Sequence, residues 1–349
     1  MNAKPLVFAD FHHSSLLYSL IMLFEGRMNG SLYRPIGLDW HTQGLWRLSD
    51  DPGVVNQYLS IEGATPLKLK GTIAGLPYPS VYSYQDEGFA HKAITLEAFY
   101  RMPVDIVIAS VPEHIEPYRR LCAVHPRKPK LIFQIGNPWT IEDRQVRNVM
   151  SSALVRDVPS DIHYIRYHQE FDLTVFHPDF ASPGRHIHAF INCFATADQY
   201  VSDWKLFEEI ERLMPDWTFR SFGGNCRDGD AAGPAEVARC MKKARFVWHT
   251  KNGGDGYGHV IYNSAAVARP MIVRMADYED KQGIELMSDG ITCVAIDGLT
   301  PGEIARKIVY YSDERRYAAL CHNIRDNFKA KVDFDREGKA LKKFIKKLR

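Results

Sequence analysis

The chain has 349 residues, 45% of them hydrophobic and 25% charged, with 44 basic and 42 acidic side chains and a formal net charge of +2. That length favours two domains over a single core, and the near-neutral balance excludes a global field aimed at nucleic acid or membrane. The six cysteines (Cys122, Cys193, Cys226, Cys240, Cys293, Cys321) show no C-x-x-C spacing and read as reduced thiols, not a disulfide frame or a zinc site.

In chain order, "PLVFAD" (5–10) is a short buried strand. "SSLLYSLIMLFEGRM" (14–28) has serine at the N-cap and apolar residues on more than one face, predicting a largely buried helix. Its apolar stretch is broken by Tyr18 and Ser19, falls short of a membrane span and follows Asp10 and two histidines. No signal peptide or transmembrane segment is therefore expected, and a cytoplasmic location is. "SLYRPIG" (31–37) is the next strand, whereas 40–84 is irregular, rich in Gly and Pro, and read as lid or acceptor loops. "DIVIAS" (105–110), a helical pattern at 112–125 and "KLIFQIGN" (130–137) follow. Continuous apolar runs alternating with helices predict a parallel sheet covered on both faces.

The same grammar resumes at His186. Strands are expected at 186–194, 217–225, 245–251, 269–274 and 290–296, with helices at 202–214, 234–244, 258–268 and 300–311. The fold class is α/β: two Rossmann-like domains facing across a cleft, assigned to 1–180 and 181–330. The last segment, "KALKKFIKKLR", has six basic residues in 11 positions, with Leu341, Phe344, Ile345 and Leu348 on one helical face. It is expected to pack back toward the first domain as a basic helix over 331–349. Its lysines also offer a surface to an anionic acceptor, DNA or an acidic membrane.

The most informative stretch is "FVWHTKNGGDGYGHVIYNSAAVARPMIV" (246–273), a strand, a Gly-rich loop, a helix and a strand. Gly256 and Gly258 remove side chains, so backbone N–H groups at the helix start can reach an anion such as a pyrophosphate. The plainer alternative is a tight strand-to-helix turn that binds nothing. Set beside "EFDLTVFHP" (170–178), this segment resembles the donor domain of GT-B glycosyltransferases, in particular the retaining E-x7-E group. Asp255-Gly256-Tyr257-Gly258 stands for that group's E-x-F-G, Asn263 for its second glutamate, and Asp172, Phe176 and Pro178 match its crossover motif. Both glutamates are replaced. Asp255 keeps the charge one methylene shorter, and Asn263 keeps only an acceptor oxygen.

The resemblance implies a glycosyltransferase that uses a nucleotide sugar, UDP- or GDP-linked, as co-substrate, with no other cofactor and with retention. It makes Asp255 the catalytic carboxylate and Gly256, Tyr257, Gly258, His259 and Asn263 donor-binding residues. The departing diphosphate needs neutralising charge. Lys251 and Lys205 are the candidate cations, and no metal is expected. Gly223 and Gly224 form either a pocket wall or a turn. On the acceptor side, His12 and His13 leave the first strand, where a doubly wound sheet opens into its crevice, and either suits a general base. Asn137, His168 and Glu170 are further acceptor-side candidates. His186 and His188 alternate on a strand and read as surface and core. The acceptor is left open between a glycan, a small molecule and hydroxymethylated DNA. A non-catalytic sugar-nucleotide or glycan binder and a nucleotide-sugar epimerase are the alternatives. A dinucleotide oxidoreductase is disfavoured, since no G-x-G-x-x-G follows the first strand.

Overall fold

A computed structural model of the chain describes residues 4–9, 14–35, 45–48, 55–59, 81–86, 89–94, 96–110, 112–136, 141, 146–181, 183–231 and 233–348. Two compact units emerge: Met1–Phe171 together with Phe334–Arg349 (unit 1), and Asp172–Asp333 (unit 2).

Unit 1 contains β1 (Leu6–Ala9), α1 (Ser14–Ile21), β2 (Ser31–Pro35), β3 (Leu45–Leu48), β4 (Val55–Leu59), β5 (Val81–Asp86) and β6 (Phe89–Ile94). It continues with α2 (Leu96–Arg101), β7 (Ile106–Ala109), α3 (Ile115–Val124), β8 (Lys130–Ile135), β9 (Asn148–Ser151) and β10 (His163–Arg166). Its main sheet runs β10-β9-β8-β7-β1-β2-β6-β5. Pairing is parallel except for β5, which is antiparallel to β6; β3 and β4 form a separate antiparallel pair. Alternation along β1 sorts the core into two layers. Phe8 packs edge-on against Phe99 and Tyr118 on one face, while Val7 and Ala9 join Leu16, Leu17 and Leu20 of α1 on the other. The β3–β4 and β5–β6 pairs begin within the stretch expected to be irregular. The helix expected at 14–28 changes to a π-helical turn at Met22–Arg27.

Unit 2 contains β11 (His186–Phe190), α4 (Val201–Leu213), β12 (Thr218–Phe222), α5 (Gly233–Lys243), β13 (Phe246–Trp248), α6 (His259–Ala266), β14 (Met271–Val273) and β15 (Cys293–Ala295). Helices α7 (Pro301–Tyr311) and α8 (Glu314–Lys331) follow. All five strands are parallel, in the order β12-β11-β13-β14-β15. Their C-terminal ends therefore lie along one edge. The strand order reverses between β11 and β13, the switch point where α/β sheets open a binding crevice.

The last helix, α9 (Phe334–Lys346), belongs to unit 1. Leu341, Phe344 and Ile345 complete the α1 core layer, and the Phe344 ring stacks on His163 at 4.2 Å. Among the described residues, no helix is long and apolar enough to cross a membrane.

Candidate functional site

Strand β13 is fully buried, and the chain leaves the sheet at His249 beside the switch point. The Gly254 N–H donates to the Lys251 carbonyl at 2.8 Å, closing a turn in which Gly253 and Gly254 have φ of 75° and 65°. A Cβ at Gly254 would lie 2.4 Å from the Asp277 carbonyl oxygen, so this position excludes side chains. Gly258, with φ 76°, is the N-cap of α6 and no side chain caps the helix, leaving backbone N–H groups and the positive end of the dipole at the loop. Gly256 is not among the left-handed glycines of the described residues.

The turn brings Asp255 back onto the strand end. Its Oδ2 lies 2.9 Å from His249 Nε2, and its Oδ1 accepts a hydrogen bond from Lys251 Nζ. Burial acts to raise the Asp255 pKa, but the hydrogen bond and electrostatic pull of His249, with those of Lys251, outweigh it and hold the carboxyl well below its usual range. Burial likewise opposes charge on Lys251, yet Asp255 and Tyr200 together raise its pKa. The Lys251 ammonium is also 5.7 Å from the Tyr200 ring centre. His249 is 1% exposed, and its Nδ1 has no partner among the described residues. Beneath the loop, the completely buried Asp203 of α4 accepts the Asn252 N–H at 2.9 Å and also pairs with Arg274 beyond β14. Helix α4 and the end of β14 thus pin the loop in place.

Of the donor-side candidates, Lys251, Asp255 and Gly258 come together here. Tyr257 is buried, stacked on Tyr262 at 4.5 Å and edge-on to His259 at 4.9 Å; Tyr262 in turn donates to Glu285 at 2.9 Å. Asn263 lies one helix turn on, its Oδ1 buried without a partner. Lys205 is on the exposed side of α4. Gly223 and Gly224 form the turn after β12. With φ 138°, a Cβ at Gly223 would sit 2.5 Å from Asn192 Oδ1, and that same oxygen accepts the Gly224 N–H at 3.1 Å. The turns after β11 and β12 are thereby laced together on the same sheet edge.

Of the acceptor-side candidates, His12, His13 and Asn137 lie outside the described residues. In unit 1, His168 binds Glu337 through its backbone N–H (2.7 Å) and Nδ1 (2.8 Å), while Glu170 takes both nitrogens of an Arg27 fork at 2.8 and 2.7 Å. Arg27 also reaches Asp335 at 2.9 Å, so these groups tie α9 to the unit. His186 is partly exposed and His188 is buried.

Sequence reasoning passed over His249 and Asp203. It also passed over two Asp-x-Asp tripeptides, Asp228-Gly229-Asp230 and Asp333-Phe334-Asp335, a spacing that often marks a metal site. Asp228 is engaged by Arg220, by Arg227 and by the Ser221 N–H. No cluster of three potential metal-ligating side chains occurs among the described residues.

No protein-family model matches the chain, and no curated protein matches it by sequence. Solved structures do match it. It is similar to a glycosyltransferase from Rickettsia africae ESF-5 at TM-score 0.65 and 10% identity, covering 99% of this chain and 98% of that one. Anabaena Alr3699/HepE, solved in complex with UDP and glucose, gives a TM-score of 0.64 at 11% identity over 99% of this chain and 100% of that one. TarM gives 0.54 at 12% identity over 77% of this chain; this chain spans only 64% of TarM's length. At these identities the likeness is one of fold: α/β, two mainly parallel sheets with helices, as in GT-B glycosyltransferases.

Proposed function

We infer that this chain is a glycosyltransferase that moves a sugar from a nucleotide sugar to a hydroxyl acceptor, with the loop 249–258 holding the donor. The observation that carries this reading is the meeting of Asp255, Lys251 and His249 with the uncapped start of α6, at the switch point of a five-stranded parallel sheet. Such an arrangement offers a diphosphate backbone donors and an ammonium, and offers a sugar hydroxyl an ionised carboxylate. Neighbours of the same fold have been solved with UDP and glucose, or with UDP and GlcNAc, which favours a UDP-sugar.

In this reading the loss of the diphosphate is assisted by Lys251 and the helix start, without a metal, and the configuration at the anomeric carbon is retained. Asp255 orients the donor sugar. His249, buried behind it, keeps the carboxylate in place and is a positioning residue. The acceptor is a hydroxyl compound; a glycan, a small molecule and hydroxymethylated DNA remain the classes to test.

The test is turnover of UDP-glucose and UDP-GlcNAc in the presence of a chelator, followed as UDP release with and without candidate acceptors. UDP release that persists in chelator and is abolished by Asp255→Ala supports the reading. Activity lost to chelator and restored by manganese would overturn its metal-independent part. A second reading, a non-catalytic binder, is favoured by one observation: both Asp255 oxygens are already engaged, by Lys251 and His249. UDP binding with no release from any donor identifies that case.

A further inference from the structure

Strands β11 and β12 pair with His188 opposite Arg220 and Phe190 opposite Phe222. By alternation these four side chains share one face of the sheet with His186. Phe190 and Phe222 stack with ring centres 5.7 Å apart, and His188 stands edge-on to Phe222 at 5.4 Å. The last turns of α5 bound the same space, leaving an open groove of about 690 Å³ within unit 2. Its wall carries Arg220, Arg239, Lys242 and Lys243 and, among the described residues, no acidic side chain. Two of these cations are oriented by acids: Asp228 holds Arg220 at 3.0 Å, and Glu236 grips Arg239.

His188 supplies a separate observation. It lines the groove yet is only 3% exposed, and its Nδ1 lies 2.9 Å from the Cys240 carbonyl oxygen. A carbonyl only accepts, so Nδ1 carries the hydrogen and Nε2 is left as an acceptor. That Nε2 is buried and has no partner among the described residues. Burial lowers the His188 pKa to about 4, so the ring stays neutral and keeps its free acceptor at physiological pH. A buried acceptor without a donor is costly, and a ligand donor would relieve that cost.

The geometry points to a second binding site here, for a small phosphorylated ring compound. A hydroxyl or N–H of the ring donates to His188 Nε2, the ring face lies against Phe222, and the phosphate meets Arg220, Arg239 and Lys243. Arginine forks and aromatic faces suit those two parts of one molecule, and a groove of this volume accommodates a single ligand of that size. Nucleoside monophosphates and sugar phosphates share this chemistry. None of the residues that line the groove belongs to the donor loop 249–258; His186 and Lys243 lie at the opposite end of the sheet from that loop, and the groove runs from there along one face to Phe222 at the end of β12. The site therefore stands or falls independently of the proposed transferase activity.

Calorimetric titration of the full chain with UMP, with glucose 1-phosphate and with inorganic phosphate tests it, in wild type and in Lys251→Ala. At least one ring compound is expected to bind both proteins at least about tenfold more tightly than inorganic phosphate. Its affinity is expected to fall about tenfold in the surface double variant Arg220→Ser/Lys243→Ser, and again in His188→Phe, which keeps a ring and removes the acceptor. Preference for UMP identifies a nucleotide site, and preference for glucose 1-phosphate a sugar-phosphate site. No binding of either compound, binding no tighter than phosphate, binding unchanged by the double variant, or binding lost in Lys251→Ala would each overturn the assignment. The double variant alters exposed side chains, so the test holds even if His188→Phe does not fold.

Discussion

In unit 1, His168 meets Glu337 across 169 positions of chain and Arg27 meets Glu170 across 143, whereas in unit 2 His249, Lys251 and Asp255 meet within residues 249–255. The chemistry is the same, a carboxylate held by an imidazole or a cation. The long-range contacts form only when distant elements have docked, so they add to the closure of the fold. The local cluster closes almost no chain, and its ordering at a strand end serves the loop. The two also differ in saturation. Both Glu337 oxygens and both Asp255 oxygens are engaged, but in the local cluster His249 Nδ1 has no partner among the described residues. A charged cluster that is short in sequence and incompletely bonded is the better candidate for a site.

Asp255→Ala would break that comparison most visibly. Removing the carboxylate is expected to lower transfer by about 10²–10³-fold in a protein that still folds, with only a modest fall in the urea unfolding midpoint. A large fall in the midpoint with turnover intact would make the local cluster a staple after all. Glu337→Ala should do the opposite, costing about 1.5–3 kcal/mol in urea denaturation through loss of charge-assisted bonds, with UDP affinity unaltered. A control is the capping box at the start of α7, where Thr300 and Glu303 form another short-range cluster. Thr300→Ala is expected to cost about 1 kcal/mol and to leave turnover alone. If it impairs turnover, sequence proximity of charges is a poor guide to function in this molecule.

The smallest expected effect is one of pH. The folded pKa of Asp255 lies below its ordinary value of 3.8, so its contribution to stability is fully present above that value. It is lost only as pH falls toward the depressed folded value. The stability difference between wild type and Asp255→Asn should therefore begin to close below about pH 4, measured by denaturant titration at each pH. Closure already at neutral pH would mean the carboxylate is not held ionised.

Most of unit 2 was legible, because its strands are apolar runs such as "FVW" and "MIV" alternating with amphipathic helices; α8, which follows α7 after a two-residue break, was not anticipated. Unit 1 was legible only in part. Strand β9, "NVMS", is four residues long, too short for periodicity to register. The β5–β6 hairpin carried a readable signal, alternating residues around "DEG", but it begins at the end of the segment set aside as irregular and runs into a stretch given no element. At the site, the glycines and charges of 251–258 were readable as a ligand loop. His249 was not, because only the turn at Gly253 and Gly254 brings Asp255 back to it. Asp203 was hidden for another reason: an acid in the first turn of an amphipathic helix looks like a solvated one, and only packing shows that it is fully buried.

The assignment of α9 to unit 1 has a consequence for synthesis on the ribosome. Unit 2 is contiguous in the chain and can fold as soon as Asp333 has emerged. Unit 1, begun first, must wait for Leu341, Phe344 and Ile345, and until they arrive the apolar face around Leu16, Leu20 and His163 lacks its cover. Newly made chains thus pass through a stage in which the later half is native and the earlier half is open. A nascent chain stalled after Asp333 should resist protease across 186–331 and be cut within 1–171, and protection of 1–171 should appear only when the final helix clears the exit tunnel.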